Sequence, residues 1–302
     1  MGFPMTADEV SMERLIEALL SDSAIKQRYA VSVLGRMADE RSTDALVTVL
    51  RDGQGKWNRQ IIKALIKIGA PSVPPLIRLL SHEDQQVWAL AAAALVKIGE
   101  PSVLPLMAAL PEADEQARML IAETLGQLGD ERAVVPLVQL LVVDKSEART
   151  AAAIALVRIG KAAIPPLVEL MVEFNSSGLR RTSIEIIKRM GEEAVDTLLG
   201  AVRHGTELER QQAALILGEI GQAAVPGLIR TLEHPNQYVR YAAAWALGRT
   251  ASPDAVPALI DRLRDTMASN FSGQRVCDMA AQSLRAIGTP EALAAVREWE
   301  GR

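Results

Sequence analysis

The sequence predicts an all-α fold: an α-solenoid in which about nine helix pairs stack along one axis into a right-handed superhelix. Three observations predict it. A small residue ends a helix at Ala38, Gly69, Gly99, Gly129, Gly160, Gly191, Gly221, Ala251 and Gly288, with steps of 31, 30, 30, 31, 31, 30, 30 and 37. A fixed aliphatic column precedes these turns. Prolines recur shortly after them. Self-similarity near 30 residues over the whole chain is the signature of a repeat architecture, in which each unit buries its apolar face against its neighbours.

Each unit reads as helix A followed by helix B. The turn glycine closes helix B because it tolerates a positive φ. Pro74, Pro75, Pro105, Pro136, Pro165, Pro166, Pro226 and Pro257 fall where helix A begins, and the first turn of a helix needs no amide donors. Thr6, with Glu9 three residues on, starts the first helix as a capping box. Four places before the turn lie Leu34, Leu65, Leu95, Leu125, Leu156, Ile187, Leu217, Leu247 and Leu284. Residues one place back are also mostly apolar, and eight places back stand Ala, Ile or Ser. Apolar residues at this spacing form one buried helical stripe. The pattern runs through residues 1–302 as a single repeat domain, and Pro290 to Trp299 reads as a C-terminal capping helix.

Composition bounds function. Hydrophobic residues make up 49% of the 302, aromatics only 3%, and the net charge is −4. That charge provides no global field for nucleic acid or an acidic membrane. Cys277 is the only cysteine, so neither an intrachain disulfide nor a cysteine metal cluster is expected, which fits a cytoplasmic protein. No run reaches the ~20 charge-free apolar residues of a membrane span. The N-terminus fits a short myristoylation pattern through Gly2 and Thr6, a pattern that also arises by chance.

The phrase HPNQYVRYAAAWALGRTASPDAVPALIDRL, residues 234–263, resembles the short HEAT-like repeat of phycobilisome-lyase-type proteins. The resemblance covers all nine units and implies the fold. It implies several functions: scaffolds, chaperone-like subunits, bilin lyases, a hydroxylase acting on a translation factor, and some DNA glycosylases. The hydroxylase branch uses several His-Glu pairs to hold two irons, whereas this chain has one such pair, His82-Glu83, placed in a turn. A glycosylase needs a cationic groove with aromatics and a central carboxylate. Trp57, Trp88, Tyr241 and Trp245 with Glu123 or Glu185 are available but scattered.

Several columns carry polar chemistry. Arg118, Arg149, Arg180, Arg210 and Arg240 stand eleven places before the turn, with Asp, Ser, Thr or Asn a few residues earlier. They read either as an anion-binding stripe or as helix caps and inter-repeat bridges. His82, His204 and His234 share one column. They are about a repeat or more apart, too far for one metal, and fall where helix A ends and can cap its carbonyls. Neither a metal nor a cofactor is expected.

Two places before the turn stand Arg36, Lys67, Lys97, Arg158, Arg189 and Arg249. Cations there complement the helix dipole. They can also form a basic strip along the concave, B-helix surface, joined by Lys63, Leu215, Tyr241 and Trp245 at helical spacing. Trp245 occupies a column that varies between repeats, as a solvent-facing or partner-facing position does. Such a strip suits another protein with an acidic or mixed surface or peptide. The longer loop around Phe271, in the 37-residue step, is a second docking candidate. The expected function is therefore a non-enzymatic scaffold or adaptor that binds a partner along the B helices. A bilin lyase or bilin-handling subunit is the alternative, and a glycosylase-like nucleic-acid binder the more distant one.

Overall fold

The computed structural model describes residues 7–37, 39–52, 57–144, 146–174, 176–268 and 273–301. Gly2, Thr6, Ala38 and Phe271 lie outside them. The described chain is helical between its turns. Its β structure is a single isolated antiparallel bridge between Ala268 and Arg275. Contacts divide the chain into two compact units, residues 1–158 and 159–302.

In the first unit the A helices are Ala7–Leu20, Thr43–Asp52, Val73–Arg78, Val103–Ala109 and Val134–Val143. They alternate with the B helices Ala24–Met37, Asn58–Ile68, Gln85–Ile98, Glu115–Leu128 and Glu147–Ile159, the last ending at the unit boundary. The second unit alternates A helices Ile164–Glu173, Glu193–His204, Val225–Thr231 and Val256–Arg262 with B helices Ser177–Met190, Glu207–Ile220, Gln237–Thr250 and Val276–Ile287. Pro290–Glu300 follows as the expected last helix.

All nine residues of the column four places before the turn are fully buried, and so is every residue of the column eight places back. The column one place back behaves differently. Met190 is buried there, Met37 is exposed, and the remainder are half-buried. Positions four and eight back lie on the dry stripe of helix B, while its last residue is in most repeats partly open to solvent. Small residues set the spacing: a Cβ added at Gly126 would stand 2.6 Å from the Ala155 Cα of the next B helix.

The turns come in two forms. Gly69, Gly99, Gly160, Gly191 and Gly221 combine φ of 62 to 83° with ψ between −131 and −143°, a region open essentially to glycine alone. Gly129, Ala251 and Gly288 are left-handed helical instead, with ψ of 18, 22 and 11°. This second form carries one extra residue whose side chain accepts an amide: Asp130 from Arg132, Ser252 from Asp254, and Thr289 from Ala292. The extra residue lengthens the repeat after Gly129 to 31. It also explains why alanine is tolerated at 251, where φ is 51°.

Among the described residues one run, Glu207–Thr231, reaches the length and apolarity of a membrane span. Gly221, at φ 80°, breaks it into two helices, and it carries Glu207, Glu209, Arg210, Glu219 and Arg230. Its apolar side belongs to the stack, with Ala213, Ile216, Leu217, Val225 and Leu228 all at 1% exposure or less.

Candidate interaction surface

In the first unit, positions two, six and ten places before the turn lie four apart, so they share one helical face. On the first three B helices that face holds Arg28, Arg36, Arg59, Lys63, Lys67 and Lys97, all exposed. These three helices contain no Asp or Glu. None of the six cations makes an ion pair with a described residue. Their bonds are to backbone: Arg36 Nε donates to the Ser32 carbonyl at 3.4 Å, and Lys67 Nζ to the Arg36 carbonyl. Arg59 and Lys63 line an open groove with Ile62, Gln86, Ala89 and Leu90, between two B helices.

In the second unit the cations of the same column, Arg189 and Arg249, are paired, and so is the adjacent Lys188. Arg189 pairs with Glu185 at 3.3 Å, Lys188 with Glu219 at 3.6 Å, and Arg249 with Glu219. Arg249 also stands over the Trp245 ring, 5.6 Å from its centroid. Trp245 is half-buried. With Tyr238, Tyr241 and Ala242 it forms one wall of a groove of about 310 Å³, completed by Glu207, Arg210 and Gln211 on one side and Gln274 and Met279 on the other. Burial and the Asp278 carboxylate hold the Tyr241 phenol above its ordinary pKa. It stays protonated and donates to Gln274 Oε1 at 2.7 Å. Glu207 is spent on Arg210, at 3.1 Å, and on Gln211, at 2.9 Å.

The HEAT-repeat model matches residues 56–114, 73–157, 103–188 and 195–270, well over half of the chain. The protein belongs to the HEAT-repeat family. A PBS lyase HEAT-like repeat model matches residues 26–52 as well. No curated protein matches the chain.

Solved structures resemble it at low identity. Human deoxyhypusine hydroxylase in complex with glycerol is 19% identical, with 84% of this chain and 98% of that one covered and a TM-score of 0.31. The complex of CpcE and CpcF of phycocyanin lyase from Nostoc sp. PCC7120 is also 19% identical, covering 76% and 93%, with a TM-score of 0.32. Kap121p bound to Nup53p is 14% identical over 94% of this chain and 38% of Kap121p, with a TM-score of 0.43.

The other polar columns serve the HEAT-repeat scaffold. Asp84, Asp114, Ser176, Thr206 and Asn236 cap B helices, and Thr206 with Glu209 forms a complete capping box. The arginine ladder ties helix ends together. Arg118 reaches Asp144 of the next repeat at 2.8 Å, and Arg240 reaches Asp265 at 2.6 Å. Arg149 donates to the Leu141 carbonyl, and Arg210 to those of Val202 and Gly205.

The histidines differ from expectation. Nδ1 of His82 accepts the Asp84 amide at 3.0 Å, and that of His234 the Asn236 amide at 3.2 Å. The carbonyls of these turns are taken by Gln116 and Arg240 instead. An accepting ring nitrogen must be unprotonated, and burial, with nearby His204 and Arg203, holds the His234 pKa below its ordinary value. Among the described residues no cluster of His, Cys, Asp or Glu could hold a metal.

Of the sequence-predicted site residues, Trp245, Tyr241 and Arg249 come together in the second unit, and Lys63, Lys67 and Lys97 in the first. Leu215 is half-buried and does not line the groove, whose wall on that helix is Glu207, Arg210 and Gln211. Arg158 and Arg189 are exposed. Tyr238 and Met279 were not anticipated. Tyr238 stands three residues before Tyr241 on the same helical face, a spacing legible in the sequence. Arg28 and Arg59 were also missed, although they extend the basic column by one more turn.

Proposed function

We propose that this HEAT-repeat protein is a non-catalytic scaffold that holds another protein on its B-helix surface. The groove walled by Tyr238, Tyr241 and Trp245 carries this reading. The chain has three tyrosines and four tryptophans, and two of those tyrosines and one tryptophan line a single open groove formed by three consecutive B helices. Large amphipathic rings at a concave, half-wet position are characteristic interface anchors. The surrounding charges are internally paired, so the groove suits a partner of mixed, partly apolar surface.

The test begins with capture from the native cell and purification of the candidate partner. Its affinity is then measured for the wild type and for the Trp245→Ala, Arg249→Ala double variant. Retained helicity with binding weaker by about tenfold or more, some 1.4 kcal/mol, supports the proposal. Full-strength binding by a folded variant removes it.

A further inference from the structure

We infer that the first three B helices form a separate docking face for an acidic amphipathic segment of a partner protein. This deepens the scaffold reading and rests on it. The argument is one of charge. The chain as a whole is acidic, at −4, yet Arg28, Arg36, Arg59, Lys63, Lys67 and Lys97 stand exposed on one face of three neighbouring helices that contain no carboxylate. In the second unit the cations of the same column, Arg189 and Arg249, are paired with Glu185 and Glu219. A dipole-capping role explains one cation in the last turn of each helix. It does not explain Arg28, Arg59 and Lys63, which lie one and two turns earlier. Six like charges with no ion pair among the described residues repel one another, and an anionic partner relieves that repulsion.

The apolar side chains decide which anion. Ile25 is 83% exposed and Tyr29 63%. They stand eleven and seven residues before Arg36, spacings that return to nearly the same helical angle. Leu90 and Ile62 line the neighbouring groove beside Arg59 and Lys63. An aliphatic side chain among the cations has nothing to offer a phosphate backbone. It matches the leucines of an amphipathic helix whose glutamates meet the cations. The dimensions agree: three helices about 10 Å apart and each about 16–21 Å long make a face fit for roughly four helical turns.

The probe is a fluorescein-labelled peptide of about 15 residues with leucines on one helical face and glutamates on the other, titrated with the full chain by anisotropy. Micromolar binding is expected, with a loss of about tenfold when salt is raised from low to several hundred millimolar. The triple change Arg59→Glu, Lys63→Glu, Lys67→Glu should weaken binding by at least about tenfold, and Ile25→Ser with Tyr29→Ser by about threefold or more. Arg230→Glu, on the exposed side of an A helix, should change nothing. Circular dichroism melts confirm that each variant folds, and the substituted positions are all exposed.

Three results overturn the inference: no micromolar binding, equal binding by the triple variant, or a duplex oligonucleotide of similar charge binding more tightly than the peptide. The captured partner separates this inference from the scaffold reading. If that partner depends on Trp245 but not on Arg59, Lys63 and Lys67, the scaffold stands and this face does not. If it depends on the three cations alone, this face stands and the aromatic groove is not the anchor.

Discussion

Arg249 lies over the indole of Trp245 while its guanidinium pairs with Glu219, one repeat earlier. The cation is thus held within the protein and does not await an acidic group from outside. Trp245 is correspondingly half-buried, whereas Leu247, two residues on, is fully buried. Trp245→Ala should therefore destabilise the fold by about 1–2 kcal/mol, a cation–π contact and part of a ring. Leu247→Ala should cost about 2–5 kcal/mol. Urea titration of the two variants checks the order. A larger loss for Trp245→Ala would make that ring core.

The leucine column gives a second expectation. Leu125 and Leu156 are fully buried. Replacing either with alanine should cost about 2–5 kcal/mol. A loss below about 1 kcal/mol would contradict the packing.

Ala251→Gly should stabilise the protein by about 1 kcal/mol, because a left-handed residue with a Cβ is strained by roughly that amount. Gly69→Ala should do the opposite. Its φ of 78° pairs with ψ −131°, and nothing lies within 4 Å of the added Cβ, so backbone strain alone of about 1–3 kcal/mol is tested. Thermal melts of the two variants read both signs.

Hydrogen bonds from the Arg132 side chain, then from its amide, lower the Asp130 pKa from 3.8 to about 2. A depressed folded-state pKa means stability that is present above about pH 4 and lost as the pH falls through about 2. Carboxyl carbon shifts followed by NMR should show this titration directly. Arg132→Met should move the midpoint back toward the ordinary carboxylate range.

The leucine register continues in sequence from Leu156 to Ile187, past the boundary between the two compact units. We expect one cooperative melting transition for the chain, as for a single repeat domain. Calorimetry resolving two transitions, one per unit, would show two domains instead.

The fold was legible because a repeat needs only its neighbours. Burial at four and eight places before each turn follows from helical period and a 30-residue step, both local properties of the chain. The caps at Asp84 and Asn236 were legible for the same reason. The histidines were not: the sequence placed them at helix ends, but whether a ring donates to a carbonyl or accepts an amide depends on sub-ångström turn geometry.

The sequence by itself determined that the chain is a stack of helix pairs, which faces are dry, and that cations recur near the end of helix B. Only the tertiary structure decided which cations remain unpaired. Glu219 neutralises Lys188 and Arg249, residues about one repeat to either side of it, while Arg59, Lys63 and Lys67 make no ion pair with a described residue. Column spacing brings such residues into the same neighbourhood. Whether two long side chains meet within a few ångströms is set by the packed positions of their helices, because the Coulomb interaction between exposed groups is weak beyond contact and is screened by salt.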